Sequence, residues 1–156
     1  MDSSKKKNLY LFLYYWLIVL IFMGIIFYYS TTTLKIRPYY RHQDKTLHFL
    51  VYAVLGSSMA RAFLQTFFRQ KIWIAICSTI LIASCFGALI EVCQIYCNRH
   101  FEVADIIANS LGSIAGSFFY LKTYRNLYPI IKTKIPILLK IEKYEEKFYG
   151  SSTNVL

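Results

Sequence analysis

Residues 9–29 contain no charged side chain and no histidine, and few folds have a place for such a run. A helix rises about 1.5 Å per residue, so about 20 apolar residues match a hydrocarbon core about 30 Å thick. A helix on the surface of a soluble domain would instead carry polar residues along one side. Three more stretches of similar length follow, at about residues 47–68, 72–92 and 103–121. The second holds Arg61, close enough to its end for the side chain to snorkel to the interface. The third is uncharged as far as Glu91, and the fourth is the least apolar, because it contains Asp105, Asn109 and several Ser and Gly. The chain is 56% hydrophobic over 156 residues, with a mean hydropathy of +0.40; soluble domains are about 45–50% apolar. These features predict an all-α integral membrane protein. Residues 1–122 are expected to form a four-helix transmembrane bundle, and residues 123–156 a basic cytoplasmic tail.

Lys5, Lys6 and Lys7 precede the first run, as they would in a signal peptide. The run exceeds the roughly 7–15 residues of a signal h-region and no A-x-A site follows it, so it reads as a retained anchor. In the tail, Ile137, Ile141, Tyr144 and Phe148 recur at helical spacing, with Lys140, Lys143 and Lys147 on another face. That pattern suits either an amphipathic helix on an anionic leaflet or a flexible tail. Lys and Arg near the span ends number twelve on the side of the termini against five on the other, which places both termini in the cytoplasm. The net charge of +10 is accounted for by these flanks facing membrane lipid. It comes with no nucleic-acid recognition motif, and no nucleic-acid partner is expected.

Four crossings gather distant residues. Apart from Asp2 and the tail glutamates, every acidic residue (Asp44, Glu91, Glu102, Asp105) and all three histidines (His42, His48, His100) lie within residues 42–48 and 91–105. The start of the second span, the end of the third and the start of the fourth must share one membrane face, which the charge count makes extracytoplasmic. An ionisable group at the edge of an apolar span marks a candidate functional site. Asp44, His48 and Tyr52 recur at i, i+4 and i+8 with Lys45 beside them, and Glu91 and Gln94 share a face. Asp105, Asn109, Gly112 and Gly116 form a single stripe. Gly112-x-x-x-Gly116 allows close approach of a neighbouring helix, and Ala108 and Ala115 are expected to widen that small surface. Helical phase sets Glu102, His42 and His100 apart from the rest.

Asp44-Lys45-x-x-His48-Phe49-x-x-Tyr52, then Glu91-x-x-Gln94, then Arg99, Asp105, Asn109, Gly112 and Gly116, resembles the signature of the VanZ-like family of small bacterial membrane proteins. Ser30, just after the first span, is similar to the family's pattern as well. The turn Ile95-Tyr96-Cys97-Asn98 departs from it in lacking a Pro or Gly. The resemblance implies a multi-pass protein of the bacterial cytoplasmic membrane, linked to resistance to teicoplanin-type glycopeptide antibiotics. It implies no established biochemical mechanism.

The residues leave several chemistries open. In a binding reading, Lys45, Tyr52, Gln94, Arg99 and Asn109 join the acidic groups in receiving an envelope precursor, a lipid headgroup or a glycopeptide-related ligand. In an enzymatic reading, His48 acts as base or nucleophile with Asp44, Glu91 and Asp105 as partners, and Lys45 and Arg99 hold a phosphate or carboxylate. No cofactor is established by the sequence, although Asp44, His48, Glu91 and Asp105 are also candidate ligands for a divalent metal. In the structural reading these groups only satisfy one another and lock the bundle. Cys77, Cys85, Cys93 and Cys97 are expected to act as small hydrophobes. Cys93 and Cys97 with His100 make a poor metal site on one helix end. The residues do not fix an oligomeric state.

Overall fold

The computed structural model describes residues 3–32, 43–68, 71–97 and 101–123. The expectations for Arg99, His42, His100 and the tail beyond residue 123 lie outside the described residues. Among the described residues all regular structure is helical: α1 (Ser3–Thr31), α2 (Gln43–Thr66), α3 (Ile72–Tyr96) and α4 (Val103–Lys122). By length and composition three of them are able to cross a membrane, through Phe12–Thr31, Gln43–Thr66 and Ile72–Tyr96. α4 is interrupted by Asp105, Asn109 and its serines and glycines, and it is not among these three.

Two boundaries differ from the hydropathy reading in ways that affect the site. α2 starts at Gln43 rather than near residue 47, so Asp44 and Lys45 belong to its first turn. α3 continues to Tyr96 rather than ending near residue 92, so Glu91 lies more than a turn inside the helix. Hydropathy marks where apolar character stops, whereas a helix continues as long as its backbone hydrogen bonds do. At the end of α3 the backbone N–H of Cys97 donates to the carbonyl of Gln94 at 3.0 Å.

Polarity is arranged inside out. Leu13, Leu20, Leu81, Leu89, Ile107 and Phe119 are all at least half exposed, while Thr79, Glu91, Gln94, Asp105, Asn109, Ser113 and Ser117 are buried. In water, apolar faces this continuous would be unusual for a monomer. The buried serine and threonine hydroxyls are satisfied inside their own helices. Thr79 donates to the Ala75 carbonyl, Ser113 to Asn109 and Ser117 to Ser113, each at 2.8 Å.

The most extensive helix pairing is that of α2 with α4. Gly112 lies against the backbone of Phe49, and Gly116 against the backbone of Ala53. Gly56 answers from α2: a Cβ there would fall 2.6 Å from the Ser113 carbonyl oxygen. Ser57 donates across the same seam to the Gly116 carbonyl at 2.9 Å. The small surface is completed by Ser113 and Ser117, both buried. Ala115 is exposed, and Ala108 is half-buried. Position 115 is one residue short of the Gly116 row, and the 100° step per residue turns it to the outside.

The two ends of the bundle are chemically distinct. At one end aromatic rings join α1 to α2 and to the turn that follows it: Trp16 meets Phe63 edge-on at 5.0 Å, and Phe12 meets Phe67 at 5.6 Å. There Trp16 Nε1 donates to Thr66 Oγ1 at 3.3 Å. Arg61 is exposed, with its guanidinium carbon 5.2 Å from the centre of the Tyr15 ring. At the other end the close of α1, the start of α2, the close of α3 and the start of α4 meet, and the charged groups lie there.

Candidate functional site

The first turn of α2 supplies Asp44 and Lys45, and its second turn His48. α4 supplies Asp105 from its first turn and Asn109 one turn later. Asp44 and Asp105 thus sit at helix N-termini, where unpaired backbone N–H groups favour negative charge. The backbone contacts at Gly112 and Gly116 bring these two helix starts together, and their side chains pair across the gap. Lys45 Nζ lies 2.5 Å from Glu102 Oε2 and 3.4 Å from Asp105 Oδ1. The second contact is an ion pair outside hydrogen-bond geometry. His48 Nδ1 donates to Asn109 Oδ1 at 3.0 Å. Its Nε2 faces two carboxylates, Asp44 Oδ1 and Asp105 Oδ2, each at 3.9 Å.

α3 adds Glu91 and Gln94. Gln94 is buried, and its Nε2 donates to the Ser30 carbonyl at the end of α1 at 3.2 Å. Glu91 is 0% exposed, and among the described residues neither of its oxygens has a hydrogen-bond partner. The backbone N–H of Glu102 approaches it without reaching hydrogen-bond geometry. Glu91 lies within electrostatic reach of His48, Asp105 and Asp44. The Tyr52 hydroxyl, Asp105 Oδ1 and Asn109 Nδ2 are likewise buried without a hydrogen-bond partner among the described residues. Gly87 of α3 makes room for Asn109, since a Cβ there would fall 2.9 Å from Asn109 Nδ2.

The structure therefore brings together Asp44, Lys45, His48, Tyr52, Glu91, Asp105 and Asn109, and uses Gln94 to tie α3 to α1. It adds Glu102, which helical phase had set apart. Glu102 precedes α4 with extended backbone, so a rule based on helical faces does not place it. Its position three residues before Asp105 was the available signal. Asp44, His48 and Asp105 each offer a ligand atom within 4.8 Å of the others, a group that does not include Glu91. Cys77 and Cys85 are exposed, Cys93 and Cys97 are half-buried, and all four are free thiols.

Lys45 is engaged by two carboxylates rather than free to hold an anion. Both members of its shorter pair are substantially exposed, and exposed pairs contribute about 0.2–1 kcal/mol. Glu102→Gln is accordingly expected to lower stability by no more than about 1 kcal/mol, as read by chemical unfolding in detergent micelles. A larger loss would mean that Glu102 holds the start of α4 in place.

Comparison of the chain with protein-family models, with curated proteins and with solved structures yields no match.

Proposed function

We propose that the cluster receives the polar headgroup of a cell-envelope lipid or lipid-linked precursor, at the extracytoplasmic face of the bacterial cytoplasmic membrane. In this reading all four helices cross the bilayer, both termini are cytoplasmic, and the chain acts as a VanZ-like protein that lowers sensitivity to teicoplanin-type glycopeptides. The carrying observation is incomplete pairing. Glu91, the Tyr52 hydroxyl and Asn109 Nδ2 are buried beside charged groups and lack partners among the described residues. Each buried unsatisfied group costs about 1–3 kcal/mol, so a cluster that served only to lock helices should have closed on itself. A headgroup carrying hydroxyls and amides would supply the missing donors and acceptors. Asp44, which is exposed, and Lys45 and His48, which are partly so, form the rim it would pass.

An enzymatic reading rests on one contact. Asn109 holds His48 by Nδ1, leaving Nε2 directed at the carboxylates, an orientation suited to a general base. Turnover of a retained headgroup would report it.

The test of the binding reading is native mass spectrometry of the full-length protein extracted with its membrane lipid. Wild type should retain an envelope lipid. Asp44→Asn, His48→Ala and Glu91→Gln should lose it, while helix content and unfolding midpoint stay with wild type and glycopeptide sensitivity rises in cells. If the three variants unfold instead, the groups are structural; if they retain the lipid, the site is elsewhere.

A further inference from the structure

We propose that Asp44, His48 and Asp105 bind a divalent metal ion of the zinc class, with Asn109 fixing the imidazole from behind. The geometry points to this through His48. Asn109 Oδ1 accepts from Nδ1 at 3.0 Å, so in the neutral ring the lone pair is on Nε2. That nitrogen faces Asp44 Oδ1 and Asp105 Oδ2, 3.9 Å from each. The separation is too long for a hydrogen bond. It is a little wider than the about 3.3–3.6 Å between ligands bonded tetrahedrally to zinc at about 2.0–2.2 Å, and the three ligand atoms, all within 4.8 Å of one another, would draw in on the ion. A metal-bound histidine characteristically donates its other N–H to a carbonyl or carboxylate, and here the Asn109 amide oxygen takes that role.

Two further observations call for a cation. Asp105 divides its oxygens, Oδ1 toward Lys45 and Oδ2 toward His48, and among the described residues Oδ1 has no hydrogen bond. Glu91, wholly buried and without a partner, is within electrostatic reach of all three proposed ligands. Glu102 and Asp105 pair with Lys45, the one fixed positive charge of the cluster among the described residues, while Asp44 and Glu91 add two more carboxylates beside His48 and Asp105. Carboxylates clustered at this density call for a counter-charge. One nitrogen and two carboxylate oxygens suit zinc better than magnesium, which favours all-oxygen octahedral sites. Three protein ligands leave a coordination position open for water or a headgroup oxygen. The inference rests on the headgroup reading and deepens it, since an ion at this point lets an acidic cluster accept an anionic headgroup.

The experiment uses the full-length chain in detergent, purified without a histidine tag, stripped with EDTA and titrated with zinc chloride against a chromophoric chelator. Wild type should take up about one zinc ion per chain and bind magnesium far more weakly. His48→Ala and Asp105→Asn should abolish uptake, and Asn109→Ala should weaken it by about 10–100-fold. A Cys93→Ser, Cys97→Ser double variant should bind as wild type does. If His48→Ala fails to fold by circular dichroism, Asp44→Asn replaces it, because Asp44 is exposed and its loss leaves the core intact. Absence of stoichiometric zinc in wild type, or zinc lost with the cysteines but kept without His48, overturns the proposal. Retention of the envelope lipid in EDTA by a protein that binds no zinc overturns the metal and leaves the headgroup reading standing. Loss of both overturns both.

Discussion

Gly116→Ala forces α2 and α4 apart and lowers the stability of the bundle by about 1–3 kcal/mol, the usual cost of overpacking a close contact. Two effects of opposite sign compete at this position. Alanine is favoured over glycine inside a helix by about 0.8–1.0 kcal/mol. The new methyl group, however, would overlap the carbonyl and Cα of Ala53. Those atoms are backbone, so no rotamer change relieves the overlap and the whole helix has to shift. Gly24 supplies the control within the same chain, because a Cβ there would meet nothing within 4 Å. Gly24→Ala should therefore show the propensity gain alone, up to about 1 kcal/mol. Reversible unfolding in mixed micelles, followed by circular dichroism, reads both. Equal shifts of the same sign would mean that the α2–α4 seam is not held by backbone contact.

Glu91→Leu should abolish headgroup retention and at the same time raise stability by about 1–3 kcal/mol, the desolvation cost of an unsatisfied buried group. Leucine fills a similar volume and needs no partner, whereas each oxygen of Glu91 lacks one among the described residues. Opposite movements of function and stability are characteristic of a site kept imperfect for use. A structural lock predicts the reverse, because breaking a satisfied buried network destabilises. Unfolding free energy and lipid retention measured on the same preparation separate the two, and a loss of stability would sink the headgroup reading.

The helices were legible in the sequence because apolar runs of this length leave one local structure that satisfies the backbone. The stripe on α4 was legible for a related reason: Asp105, Asn109, Gly112 and Gly116 are in phase, and all four are buried. What the sequence did not carry was the rotation of one helix against another. α1 is apolar nearly all round past its basic start, and α3 is so until Glu91 and Gln94, so over most of their length no polar stripe tells which face turns inward. Thus Gly56 and Gly87 as counterparts of Ser113 and Asn109, and the burial of Ser113 and Ser117 in place of Ala115, emerge only once the helices are packed. Glu102 escaped because it sits outside a helix, where phase has no meaning. The depth of Glu91 escaped because hydropathy ends a span earlier than hydrogen bonding ends a helix.

The seam between α2 and α4 also limits how this end of the molecule can breathe. Lys45 and His48 stand on one side of it and Asp105 and Asn109 on the other, and directly below them Phe49 and Ala53 touch Gly112 and Gly116 through bare backbone, with Ser57 bonded across to Gly116. Backbone contact of this kind leaves that pair of helices little room to move against each other. The pairing of α1 with α3 is the sparsest in the bundle, and the hydrogen bond from Gln94 to the Ser30 carbonyl fastens it near the cluster. Any loosening at this end would therefore be expected first between α1 and α3, where one hydrogen bond does most of the holding, and last along the α2–α4 seam.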